Sequence, residues 1–373
     1  MRVGFDASLL SRGFSGVHRA LRAQVLALAD RSDIEPRFYM PRREAERLLP
    51  GRMDLARRTS PMLWAKPLRV LWQHFVLPIR LYRDKADILH APAYFAPVIG
   101  RRIPVVVSVY DVIPLRHPEL CPIRTVRHFA AMMPRTLERA TRVLVPTEAV
   151  RREVVEGFRF PARKVLVVPL GVDARFRPVP EEDLAEIRAR YRLKRPFLLF
   201  AGVQEPKKNL ERLLKAFFAA KLERDLPHEI AIAGASGPSS RTIRRLIRGL
   251  AMRPMVRFLG RVPDADLPAL FSAADGLAQP SLAEGFGLPP LEAMACGTPV
   301  LASRIPAFEE TLGSDAILVP PEHVPSIRQG ILDLLLDETR RREMRSRGQA
   351  RAARYTWERC AEDAVRAYRE ALG

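Results

Sequence analysis

The chain has only three cysteines, Cys121, Cys296 and Cys360, in 373 residues. Their spacing makes neither a metal-type cluster nor a disulfide framework, so a reduced, cytosolic protein is expected. The start, MRVGFDASLL, lacks the long apolar stretch of a signal peptide, and no run has the length and purity of a transmembrane helix. His18, His117 and His128 have no metal-ligand spacing. No metal and no cofactor are therefore expected. Acidic residues are scarce: 42 Asp and Glu stand against 62 Lys and Arg, a net charge of +20 that attracts anions. Nucleic acid, anionic lipid and nucleotide phosphates all qualify. The basic residues are spread along the chain, and no zinc-finger or RNA-binding signature accompanies them, so nucleic acid is not the expected partner.

What the chain does have is α/β rhythm. Continuous apolar runs of strand length recur at VGF, PRFY, DILHA, PVVVSVY, RVLVP and KVLVVPL, separated by helical stretches near residues 17–28, 123–139 and 148–156. Such runs suit parallel strands covered on both faces. After a linker rich in proline (GVDARFRPVPEED) the rhythm repeats with FLLFAGV, EIAIAG, VRFLG, GLA, VLA and AILVPP, and late helices are expected over 324–336, 338–352 and 356–372. Two doubly wound domains are expected, since 373 residues exceed a comfortable single core. Ligands of such sheets gather at the carboxyl ends of the strands, and the cleft between two domains is the default site.

Two loops carry candidate chemistry. In GVQEPKKNLERLLKAF a strand ends beside Gly202, and Lys207 and Lys208 precede a helix start that Asn209 is expected to cap, where unpaired N–H groups favour an anion. A solvated lysine pair is the alternative. In PSLAEGFGLPPLEAMACGTPV, residues 280–300, Glu284 stands beside Gly285, and Pro289 and Pro290 start a helix that ends near Cys296 with Gly297 as its cap. Glu292 then falls in the first turn, where it either accepts hydrogen bonds from paired sugar hydroxyls or merely suits the helix dipole.

The second loop resembles the EGFGLPxLEAMAxGxPV signature of GT-B retaining glycosyltransferases. These form the large group 1, or GT4, family that includes many bacterial mannosyl-, glucosyl- and rhamnosyltransferases of surface polysaccharide and lipopolysaccharide assembly. GVQEPKKNLERLLKAF, VRFLGRVPDADLPALFSAAD, VVPLGVDARF, DILHAPAYFAP and the N-terminal FDASLL…GVHRA also resemble that family, so the likeness covers nearly the whole chain. It implies the GT-B fold, two Rossmann-like domains facing across a cleft: an acceptor-binding domain over 1–175, a nucleotide-sugar domain over 176–355, and a last helix, 356–373, packing back on the first. It implies that Glu284 lies near the hydroxyls of the transferred sugar and that Glu292 holds the nucleotide ribose. Lys208, with Lys207 second, would hold the donor diphosphate. The backbone of Gly285, Phe286, Gly287 and Leu288 would lie near donor sugar and phosphates. Gly202 would end the diphosphate strand, and Gly16, with Gly13 in the same loop, would approach the reaction centre. The implied partners are a nucleotide diphosphate sugar, GDP-mannose first, and a glycan or lipid-linked acceptor.

Two departures stand out. Many relatives place Arg where this chain has Val203, and His-Asp where it has Tyr110 and Asp111. Tyr110 is expected to end its strand facing the cleft, with its hydroxyl on a sugar. A sugar-phosphate synthase or phosphorylase, or a glucosyl-, rhamnosyl- or N-acetylglucosaminyltransferase, shares the frame and remains an alternative. Residues 61–83 mix Trp64, Leu68, Leu71, Trp72 and Phe75 with Lys66, Arg69, Arg80 and Arg83. One reading is peripheral contact with the inner face of the cell membrane; the other is a core helix with a solvated basic face.

Overall fold

The computed structural model describes residues 1–11, 16–59, 65–98 and 103–373. Gly13 and Trp64 lie outside them. The chain divides into two compact units. Unit 1 comprises Met1–Arg116, Pro122–Gly171 and Thr356–Gly373; unit 2 comprises His117–Cys121 and Val172–Tyr355.

Unit 1 holds seven parallel strands: β1 (Arg2–Asp6), β2 (Glu35–Met40), β3 (Ala56–Arg58), β4 (Ile88–Ala91), β5 (Val105–Ser108), β6 (Arg142–Val145) and β7 (Val165–Val167), in the order β3-β2-β1-β4-β5-β6-β7. The central strands β4 and β5 are buried at every position. That is why their sequences read as unbroken apolar runs rather than alternating ones. Strand β3 is a three-residue edge with two arginines, and no apolar pattern announced it.

The last helix, Trp357–Leu372, belongs to unit 1 and packs against the helix Gly16–Ala29 and strands β5 and β6. A buried polar chain fixes it: His90 Nδ1 meets the Tyr368 hydroxyl at 2.7 Å, and His90 Nε2 meets Ser108 Oγ at 2.8 Å. Burial pushes the His90 imidazole down to about 3, so the ring stays neutral and structural.

Unit 2 holds six parallel strands: β8 (Phe197–Ala201), β9 (Glu229–Ala233), β10 (Val256–Gly260), β11 (Gly276–Gln279), β12 (Val300–Ser303) and β13 (Ile317–Val319), ordered β10-β9-β8-β11-β12-β13. The order reverses between β8 and β11, which pair in register at Leu198 with Gly276 and Leu199 with Leu277. That is the topological switch point, where the loops leaving two adjacent strands diverge and open a crevice.

Candidate active site

The two loops singled out in the sequence leave β8 and β11, the two strands flanking the switch. Their meeting follows from topology, since the carboxyl ends of neighbouring parallel strands lie side by side. Lys208 Nζ donates to Glu284 Oε1 at 2.6 Å. Ser281 Oγ donates to the same oxygen at 2.8 Å. The loops are also joined through the backbone, with Leu282 N–H donating to Lys207 O at 2.7 Å. Lys207 itself reaches no closer than 4.0 Å to Glu205.

The pair is enclosed: the Lys208 and Glu284 side chains are 14% and 11% exposed. Burial alone would raise the Glu284 carboxyl, but the charges of Lys208 and Lys207 and the two hydrogen bonds outweigh it and hold the group below its ordinary value. Gly202 lies along the Lys208 stem in a backbone conformation that other residues rarely adopt. Its φ is +154°, and a Cβ there would touch the Lys208 side-chain carbons at 3.6–3.8 Å.

Gly287 caps the helix Leu288–Ala295 at φ +96°, and a Cβ on it would sit 2.3 Å from the Phe308 ring. Only glycine meets both demands. Because the helix begins at Leu288, Glu292 lies in the second turn, not the first as the sequence suggested. The helix-dipole account of Glu292 loses its basis, because that effect fades beyond the first turn. Glu292 is 3% exposed, and a carboxylate is rarely buried to that degree unless paired; its charge is felt by Arg175. Burial, and then the charge of Glu292, pushes the neighbouring Cys296 thiol up to about 12, so that cysteine is inert. Phe286 contributes packing: its ring stands edge-on to Tyr355 at 5.5 Å, and its carbonyl accepts from Thr311 Oγ1 at 3.1 Å. Leu288 is buried beside it.

Asn209 was expected as a cap for the helix Leu210–Glu223, but its side chain makes no cap bond. It takes a left-handed φ of 58°, and its amide nitrogen donates to Pro280 O at 2.8 Å and Pro321 O at 2.7 Å. The residue thus ties the β8 loop to the loops after β11 and β13, and leaves the first N–H groups of its helix uncapped for an anion. Ser281 was also missed. Its carbonyl is held by Ser303 Oγ, which fixes the loop that aims Glu284.

The remaining expected residues are in unit 1. Gly16 opens the helix Gly16–Ala29, and among the described residues nothing lies within 4 Å of where a Cβ would stand. Asp111 accepts from the Tyr94 hydroxyl at 2.9 Å and from Ile113 N–H at 3.1 Å, which shapes the turn after β5. Tyr110 corrects the sequence reading. Its side chain turns into unit 1, 8% exposed, and lines a cavity of about 20 Å³ with Gln24, His90, Ser108 and Cys360. Its hydroxyl lies beside the Gln24 amide without a hydrogen bond of good geometry. Burial raises the phenol well above its ordinary value. A buried, unsatisfied hydroxyl is a cost, so its removal is cheap. Tyr110→Phe should therefore keep kcat/KM within about twofold of the parent and lose no thermal stability. A large fall in kcat/KM with an unchanged melting temperature would put the hydroxyl on the substrate after all.

Among the described residues no group of three His, Cys, Asp or Glu is placed to hold a metal ion. The sequence reading passed over one Asp-x-Asp, Asp264-Ala265-Asp266. Asp266 is committed to Arg190 and to the Tyr191 hydroxyl, each at 2.7 Å.

Two doubly wound units of this topology define a class, the GT-B fold. A crystal structure of Anabaena Alr3699/HepE in complex with UDP and glucose superposes with a TM-score of 0.77 at 19% identity, covering 99% of this chain and 100% of that one. Residues 184–351 match the family described as glycosyl transferases group 1, and residues 14–176 match Glycosyltransferase Family 4. An O-antigen chain mannosyltransferase B of Escherichia coli is 30% identical over 86% of this chain and 83% of its own length. The serotype-specific mannosyltransferase WbdA of Escherichia coli is 29% identical over 76% of this chain, which spans only 36% of that protein. The chain belongs to the group 1 (Family 4) glycosyltransferases and is a glycosyltransferase enzyme.

Proposed function

We propose that the enzyme transfers a hexose, mannose from GDP-mannose, to a hydroxyl of a glycan or lipid-linked acceptor with retention of the anomeric configuration. Unit 2 binds the donor and unit 1 the acceptor. The observation that carries the reading is the Lys208–Glu284 pair at the β8/β11 switch, backed by the buried Glu292. Lys208 and the uncapped start of the helix Leu210–Glu223 receive the diphosphate and stabilise the charge that grows as the sugar leaves. Glu284 faces the sugar hydroxyls, and Glu292 accepts from the ribose diol. The names of the similar mannosyltransferases support the choice of sugar.

A donor screen over GDP-mannose, UDP-glucose, UDP-N-acetylglucosamine, ADP-glucose and dTDP-rhamnose tests it, with the product anomer read by NMR. GDP-mannose should be the best donor. Turnover of another donor with GDP-mannose inert overturns the sugar and keeps the class. In the same assay Glu292→Gln should weaken nucleotide diphosphate binding about tenfold by titration calorimetry, the effect of weakening a charge-assisted hydrogen bond. Unchanged affinity would remove the ribose from Glu292.

A further inference from the structure

Residues 66–83 form one continuous helical rod: the helix Lys66–Leu71, a π turn over Trp72–Val76, and the helix Leu77–Arg83. The wider turn ends just before Pro78, which cannot donate a helical hydrogen bond. One face is anchored. Trp72, Leu77 and Leu81 are buried in the core of unit 1, and Gln73 Nε2 donates to Asp6 Oδ2 at 3.0 Å and Phe95 O at 2.8 Å.

The other face is apolar and open. Leu68, Leu71, Phe75, Val76, Ile79 and Tyr82 supply six of the twelve exposed large hydrophobic side chains among the described residues, and Tyr82 is 67% exposed. Five of them recur at steps of three, four, four and three residues, which is one helical stripe. From Leu68 to Tyr82 the stripe runs roughly 21 Å at about 1.5 Å per residue. Among the described residues no helix is long and apolar enough to cross a membrane, so a stripe of this kind lies along a surface rather than through it.

Charge selects the surface. The chain has no Asp or Glu between Asp54 and Asp84. Arg80 and Arg83 are exposed beside the stripe and make no ion pair among the described residues. Two copies of this face would bring like charges together, whereas an anionic bilayer takes the apolar stripe into its interface and the arginines onto its headgroups.

We propose that the outer face of residues 66–83 docks the enzyme on an anionic lipid bilayer. This deepens the transferase reading, because a lipid-linked acceptor is presented at such a surface. The docking itself is measured without donor or acceptor, so either reading can fail alone.

The test is flotation of the full chain with vesicles of phosphatidylcholine alone or with 30% phosphatidylglycerol. Binding to anionic vesicles should exceed binding to neutral ones on the order of tenfold, as two surface arginines imply. Leu71→Ser/Phe75→Ser/Ile79→Ser should lose most of that binding while keeping transfer to a water-soluble acceptor. Arg80→Glu/Arg83→Glu leaves the stripe intact and should abolish the preference for anionic vesicles; it carries the test if the triple variant does not fold. Undiminished flotation of both variants overturns the proposal. So does a parent that ignores vesicles and forms, by light scattering, a dimer that the triple variant dissolves, which would give the face to a second copy.

Discussion

Lys208→Ala should lower kcat about 10²-fold, the typical cost of removing one preorganised group aimed at charge that develops in the transition state. The geometry explains why turnover suffers more than ground-state binding. In the free enzyme the ammonium is held by Glu284 at 2.6 Å, in a site that excludes most solvent. A leaving diphosphate competes for that cation most strongly when its own charge is greatest, which is after the sugar bond has begun to break. Lys207 is adjacent, and its charge also acts on Glu284, so the residual rate of the alanine variant measures how far it can substitute. Lys208→Arg keeps the charge but adds a planar fork where the stem runs along Gly202, and should recover only part of the rate. Steady-state kinetics on a verified donor, with diphosphate affinity measured separately, decides the matter. Near-normal kcat in the alanine variant would move the diphosphate to another cation.

Val203 gains significance from the same geometry. Many relatives are expected to place a second cation there, and this chain does not. In the proposed function the switch point of unit 2 then relies on Lys208, with Lys207 as the nearest further cation.

The strands were legible because parallel strands buried on both faces leave unbroken apolar runs, as at β5 and β8. Edge strand β3 was not, because Ala56–Arg58 is short and carries two arginines. The loop at 280–300 announced itself through local chemistry: glycines and prolines that fix the backbone, and two acids eight positions apart. Tyr110 was misread for a non-local reason. Its direction is decided by the helix Trp357–Leu372, hundreds of residues later, which brings Cys360 and Tyr368 to the same cavity and network. Asn209 was misread more subtly. Its residue type suits a cap, but its amide is taken by two distant carbonyls, and the sequence around position 209 holds no sign of either. Local pattern thus picked out the charges that meet at the switch point, while long-range packing decided which neighbours hold them and which expected residue lies elsewhere.

Glu284→Gln should destabilise the protein by about 3 kcal/mol at neutral pH, since removing one partner of an enclosed ion pair leaves the other charge uncompensated. The size of that loss should depend on pH in a definite direction. The folded-state carboxyl lies below its ordinary value because Lys208, Lys207 and two hydrogen bonds overcome the burial that would raise it. A carboxyl depressed by folding adds stability that is fully present above its unfolded value, about 4.3, and is lost as pH falls through the lower folded value. The gap in melting temperature between parent and variant should therefore be constant from pH 8 to pH 6 and close as pH drops below the ordinary carboxylate range. Nucleotide diphosphate gives a second handle. In the variant Lys208 has lost its internal partner, so added diphosphate should raise the melting temperature of the variant more than that of the parent. Thermal unfolding of both proteins between pH 8 and pH 3, with and without the nucleotide, measures all three effects. A gap that stays the same at every pH would mean that Glu284 acts through packing rather than charge. An equal nucleotide response in both proteins would mean that Lys208 does not exchange its carboxylate for the donor's phosphates.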